Sequence, residues 1–394
     1  MKNALFADIN SCRPLLGKVK TLLRERIDHG VFADPAALHA PGRAARRRME
    51  AARTACAGAL GALPGNVLFT SGNAEGTACV FHTLLQKGPR HHHKNRIIIS
   101  AIENEGIQRI AEWYTKRGFI LHIVPVSSSG LVQNDVLRDL LEKFTGQIAL
   151  FSVETAHFQS GVLQSLESIV RLCETFSAPI YSDTSAAVGK LPFHFLDSGL
   201  DFAVVSGARL GALPGSGILL VQDPSRFTPL LYHGPNGCAP GAASRDVLAA
   251  ETLAAALEDL PGSVASFGRI APHRDRFETR MKQAYPRLFI AGNENPRLPN
   301  TTLLAHPGIH GQALQIELES RGVLAGFPPG RSENEIAVPF FLRSMDVPEE
   351  IARSAVSISI DPGGAEKEYA AIEHALKGAL NRLLEIGKNA FPAS

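Results

Sequence analysis

Residues 66–75 read NVLFTSGNAE. Asn66–Phe69 is a short apolar run of the kind that forms a strand buried on both faces. It stops at the turn Thr70–Ser71–Gly72, and a helical pattern follows directly. A buried strand that turns at once into a helix is the repeating unit of a parallel sheet with helices on both faces. Upstream, residues 44–61 (AARRRMEAARTACAGALG) have helical period, with Arg and Glu outward and Met49, Ala52, Cys56 and Leu60 inward. Downstream, strands are predicted at 96–102, 119–125, 148–153 and 179–182, separated by helices at 105–117, 135–144 and 164–176. Apolar runs at 202–205 and 217–221 flank a Gly-rich stretch. The alternation predicts a seven-stranded, mainly parallel sheet.

The pattern changes at a Gly/Pro/Ala-rich loop, YHGPNGCAPGAASR, near 230–245. A long helical stretch over 246–285 is expected next. Then come a strand at 301–305, a helix at 311–321, a strand near 356–360 and a last helix over 365–386. These read as a smaller α+β domain. The expected division is an N-terminal arm at 1–15 that joins the smaller domain, a large domain at 16–255 and a small one at 256–394.

The composition narrows the function. With 394 residues, 45% of them hydrophobic, the chain can bury a large core. A net charge of +2 gives no footprint for nucleic acid. No apolar run reaches the 18 residues of a membrane span. The N-terminus turns acidic too early for a signal peptide. Five widely spaced cysteines form neither a disulfide framework nor a CxxC motif, so a cytoplasmic location is expected.

Ligands of such sheets bind beyond the carboxyl ends of the strands. The residues of interest are therefore Thr70–Glu75, Glu103–Asn104, Glu154–Gln159, Asp183–Ser185 and Ser206–Arg209. Ser71, Gly72, Asn73 and Ala74 open a helix whose free amides suit a phosphate, although a plain turn with Ser71 as N-cap reads the same. Asp183 ends a strand and could pair with a protonated ring nitrogen, or cap a turn. Arg209 reads as an anion clamp or an ion-pair partner. The triplet His91–His93 has no carboxylate at metal-binding spacing and reads as solvated. Cys238 has no local base to activate it.

Taken in order, these stretches resemble the NifS/IscS-type cysteine desulfurases, of the class V aminotransferase fold. DINSCRP at 8–14 resembles D-N-A-A-T-T-P. FADPAALHAPGRAARRRMEAAR at 32–53 resembles G-N-P-S-S-x-H-x-x-G-R-x-A-R-x-x-x-E-x-A-R. FTSGNAE at 69–75 resembles the phosphate loop F-T-S-G-A-T-E, and SAIEN at 100–104 resembles S-x-x-E-H. SDTSAAVGKLP at 182–192 resembles V-D-A-T-Q-S-V-G-K-L-P, and VVSGARLGALPGSGILL at 204–220 resembles S-G-H-K-x-x-G-P-K-G-x-G-x-L. ALQIELESRGVLAG at 313–326 and VPFFLRSMDVPEEIARSAVSISI at 338–360 extend the likeness. The resemblance implies an α/β, aspartate aminotransferase-like fold, a homodimer, and pyridoxal phosphate held as an aldimine by a lysine. It also implies an aspartate on the ring nitrogen, a stacking histidine, a persulfide-forming cysteine and a carboxylate-binding arginine.

The same resemblance locates departures. The lysine falls on Arg209 and the histidine before it on Ala208. The stacking histidine falls on Asn104, and N-N-E-x-G falls on His157–Gly161, which puts Phe158 beside the cofactor's phenolic oxygen. The glutamine after Asp183 becomes Ala186. The cysteine falls at or beside Pro329, and the carboxylate-binding arginine falls on Ser357. No threonine lies between 229 and 251 to cross to a partner's phosphate. Lys190 belongs to GKLP, which the family also carries. Arginine cannot form an aldimine, because its nitrogens are delocalised and it stays protonated.

Cofactor-type positions are therefore Ser71, Gly72, Asn73, Ala74, Asn104, Asp183, Ser185, Ser206 and Arg209, with no catalytic residue and no metal site. The leading expectation is a homodimeric pseudoenzyme that binds or scaffolds, with a sulfur-transfer or iron–sulfur assembly protein as partner. One alternative is an enzyme with noncovalent pyridoxal or pyridoxamine phosphate. Another is a heteromer with an active paralogue. Arg209 is expected to pair with Asp183.

Overall fold

A computed structural model of the chain describes residues 4–89, 93–230, 246–327 and 338–390. A short strand, β1 (Leu5–Ala7), precedes the helices Gly17–His29 and Ala40–Ala59. The central sheet then assembles from β2 (Val67–Thr70), β3 (Arg96–Ser100), β4 (Ile120–Val124), β5 (Ile148–Ser152), β6 (Ile180–Asp183), β7 (Phe202–Ser206) and β8 (Gly217–Val221). Its strand order is β2-β8-β7-β6-β5-β3-β4. Only β8 runs against the rest, pairing antiparallel with both β2 and β7. The expectation of seven mainly parallel strands holds, and strand ends shift from those predicted by one or two residues.

Both faces of this sheet are covered, so its strands are apolar at successive positions. Ile98, Phe151, Ile180, Ala203, Val205 and Leu220 enter one core. Their neighbours Ile97, Leu150, Tyr181, Val204 and Leu219 enter the core on the other face. Met49, Ala52, Cys56 and Leu60 face the first core, as their spacing predicts. Arg53 departs from the outward expectation. It is buried, with Nη1 donating to the Val67 carbonyl and its guanidinium 5.1 Å from the Phe69 ring. It stabilises the entry of β2 instead of a solvated face.

The helical stretch after 246 is three helices, Val247–Leu257, Leu260–Gly268 and Ala271–Ala284. Pro261 and Pro272 cause the breaks: proline lacks the N–H that a helix interior needs but suits a first turn. Asp259 also caps the second helix through the Gly262 amide at 3.0 Å. Beyond them lies an antiparallel sheet in which β10 (Thr301–Ala305) sits between β9 (Phe289–Ile290) and β12 (Val356–Ser359). β11 (Val323–Ala325) pairs with β1, which ties the N-terminal arm to this region. The final helix, Ala365–Ala390, runs past its expected end and packs Tyr369, Ile372 and Leu376 into a separate core with Leu304 and Ile358 of the small sheet. Val338, Phe341 and Leu342 pack instead with the core of the large sheet.

Candidate functional site

The fold gathers the chosen stretches because β2, β3, β5, β6 and β7 run the same way. Their ends, Thr70, Ser100, Ser152, Asp183 and Ser206, therefore meet at one edge. The turn after β2 depends on Gly72, whose φ of 143° side chains rarely tolerate. Gly72 is the N-cap of the helix Asn73–Leu85 and provides no side-chain cap, so Ser71 is not the N-cap. The Ser71 amide donates to the Glu75 carboxylate at 2.6 Å. Ala74 brings no hydroxyl to this turn.

Asp183 lies at the centre, 1% exposed. Its Oδ1 accepts the Ser185 amide at 2.9 Å. Its Oδ2 accepts the side-chain amides of Asn73 at 3.2 Å and Asn104 at 3.4 Å. Asn104 also caps the helix Glu105–Thr115 through the Ile107 amide, which fixes its side chain. Ser185 is fully buried, and its Oγ accepts the Ser206 amide at 3.0 Å. Ser185 thus joins β6 to β7.

Two more carboxyls surround Asp183, and residue patterns alone gave them no role. Glu154 Oε1 accepts the Asn104 backbone amide at 2.9 Å, and Glu103 Oε1 accepts the Ser152 hydroxyl at 2.6 Å. Both residues are buried, and the Oε2 of each has no hydrogen-bond partner. Burial, and next the charge of Asp183, push the Glu154 carboxyl up to about 8, although Arg209 and Asn104 pull it back. Burial and then Glu154 push Glu103 well above the carboxylate range. The clue in the sequence was an acid directly after each of two apolar strands. It became specific only with the pairing of β5 and β6, where the Thr155 amide reaches the Asp183 carbonyl.

Arg209 lies in the short helical turn Gly207–Leu210 after β7. Gly207 is required there, because a Cβ would come within 2.1 Å of Ser216 Oγ. The expected ion pair with Asp183 is not formed. The half-buried guanidinium of Arg209 instead lies over the Phe158 ring, 4.7 Å from its centroid. Asn10 holds Phe158 in place, its Nδ2 donating to the Phe158 carbonyl at 2.7 Å. The arm also holds the turn itself, where the Arg13 amide donates to the Ala208 carbonyl at 2.8 Å. The physical reason for the missing pair is that amide donors already occupy Asp183 while an aromatic face is available to Arg209.

The surrounding bases are neutral or committed elsewhere. Burial, reinforced by Arg209, holds His157 down to about 3. The Ser160 amide donates to His157 Nδ1, and Phe341 packs 4.0 Å from the ring. Lys190 is buried, its Nζ donating to the Ala186 carbonyl at 3.0 Å, and burial lowers it to about 7. Ser357, at the carboxylate-binding position, donates to the Gln159 carbonyl at 3.0 Å. Cys12 is exposed, and Cys56, Cys79 and Cys173 are buried. His91, His92, Cys238 and Pro329 lie outside the described residues. Among the described residues no cluster of His, Cys, Asp and Glu could hold a metal ion, and no helix is long and apolar enough to cross a membrane.

Comparisons place this geometry among known proteins. The aminotransferase class-V family profile matches residues 30–239. A protein named cysteine desulfurase 2, from Trichormus variabilis, is 27% identical over 355 residues, covering 90% of this chain and 88% of its own. An IscS-like cysteine desulfurase from Mycobacterium tuberculosis is 27% identical, covering 89% of this chain and 90% of its own. The X-ray structure of a NifS-like protein from Rickettsia africae superposes with a TM-score of 0.83 at 25% identity, covering 96% of this chain and 99% of that one.

The residues present do not fit an aldimine-bound pyridoxal phosphate. A guanidinium stands at position 209, the buried Lys190 beside it donates its Nζ to the Ala186 carbonyl, and two side-chain amides already contact the Asp183 carboxylate.

Proposed function

The chain belongs to the aminotransferase class-V family, and from that premise we propose that it is a desulfurase-like pseudoenzyme. In this reading it binds or scaffolds and performs no aldimine chemistry. The observation that carries the proposal is Arg209, at the lysine position, stacked on Phe158. Desulfuration requires an electron sink and a nucleophilic thiol. By the resemblance, the family's cysteine falls at or beside Pro329 and its carboxylate-binding arginine on Ser357, so the attacking group and the substrate grip are missing together.

A homodimer is part of the proposal, as is a sulfur-transfer or iron–sulfur assembly partner, in keeping with the named activity of the relatives. The test is sulfide release from cysteine by the purified chain supplied with pyridoxal phosphate. The expected rate equals that of a heat-killed control, and borohydride leaves no label on residue 209. Turnover above the control would overturn the proposal and point first to Cys12 or Cys238.

A further inference from the structure

A protonated ring nitrogen needs a carboxylate facing it across free space. In this chain that space is crossed from two directions. Asn73 reaches Asp183 from the N-terminus of the helix Asn73–Leu85, and Asn104 reaches it from the N-cap of the helix Glu105–Thr115. Both amides converge on the same oxygen, Oδ2, while Oδ1 is turned to the Ser185 amide. We infer that Asn73 and Asn104 are built-in substitutes for the ring nitrogen, which close the site to pyridoxal and pyridoxamine phosphate even as noncovalent ligands.

Three features agree with this. The amide donors fill the hydrogen-bonding positions of Asp183 without adding a positive charge, whereas a pyridinium would add one. The neighbouring acids agree, since burial raises the pKa of both Glu154 and Glu103, and the Oε2 of each lacks a hydrogen-bond partner. At the far side, Arg209 is directed to Phe158 and not to the cleft carboxylate.

The inference deepens the proposed reading by removing the noncovalent cofactor that a missing lysine alone would still allow. Its test is a titration of the wild-type chain and of the double variant Asn73→Ala/Asn104→Ser with pyridoxal phosphate and with pyridoxamine phosphate, followed by calorimetry and cofactor absorbance. Serine retains the helix cap that Asn104 provides but cannot reach Asp183. The wild type is expected to show no saturable binding over the titrated range, and the double variant to saturate with a Kd at least tenfold below the highest concentration titrated. The single variant Asn73→Ala, at a half-buried helix start, gives an intermediate gain and covers the case of a double variant that fails to fold. Saturable binding by the wild type overturns the inference, as does a folded variant that gains nothing. Binding by the wild type without sulfide release would end this inference and leave the pseudoenzyme proposal intact. Sulfide release would end the proposal itself.

Discussion

Two parts of the molecule bury charge in opposite ways. Near the small sheet, Arg297 and Glu278 form a bidentate pair at 2.9 and 2.6 Å, with side chains only 3% and 9% exposed. At the carboxyl edge of the large sheet, Glu103, Glu154 and Asp183 are equally buried, yet among the described residues no cation lies within 4 Å of them. The first region neutralises charge by pairing. The second surrounds Asp183 with amide donors, while burial raises the pKa of Glu154 and Glu103. Pairing fixes geometry, while protonation makes the region sensitive to pH. The strand-end edge is thus a polar core in which, among the described residues, buried acids meet neutral donors and no paired cation.

The largest expected effect lies in the paired region. Arg297→Ala leaves Glu278 buried without a counter-charge and should cost about 3–5 kcal/mol of stability, read from a denaturant midpoint. A loss below about 1 kcal/mol would show that water reaches Glu278 and would erase the contrast.

The next effect belongs to the unpaired region. Glu154 has a folded-state pKa of about 8, raised from 4.5. The folded chain therefore keeps a proton that the unfolded chain releases between these values. The contribution is complete below about pH 4.5 and declines as pH rises to about 8, by at most about 1.4 kcal/mol per unit. Glu154→Gln should flatten that decline and make the chain more stable than the wild type at alkaline pH. Parallel stability curves for the two proteins would show that Glu154 is ionised throughout.

Smaller still is Arg209→Ala. The cation–π contact with Phe158 contributes about 0.5–2 kcal/mol, so the melting temperature should fall only modestly. A loss of about 3–5 kcal/mol would mean that Arg209 does pair with a buried acid in solution. The smallest effect belongs to Arg171→Ala on the surface. Its partner Glu167 is 81% exposed at the side chain, so the loss should stay below about 0.5 kcal/mol. A larger value there would mean that burial is not what separates strong pairs from weak ones in this chain.

Much of the fold was legible because both-face burial writes itself into the strands. Runs such as 217–221 and 301–305 coincide with β8 and β10. The breaks in the helical stretch after 246 were readable in Pro261 and Pro272, but a hydrophobic pattern continuing across them hid them. Arg53 was misread because helical period places it with its charged neighbours, and only the Val67 carbonyl and the Phe69 ring give it an interior site. In the site, Asp183 and Asn104 were found from their places after apolar runs. The Asp183–Arg209 pair failed because reach was judged without the competing partners.

The sequence by itself determined the sheet, the crossing of its strand ends at one edge, and the identity of the residues there: Arg at 209, Asn at 73 and 104, Asp at 183. Those depend on local pattern and on chain order. Which of these side chains meet was decided only by tertiary structure. Asn73 and Asn104 lie 110 and 79 residues from Asp183, and Phe158 lies after β5 while Arg209 lies in the helical turn after β7. A hydrogen bond or a stacked ring depends on ångström-scale approach between elements, and sequence periodicity carries no information at that scale.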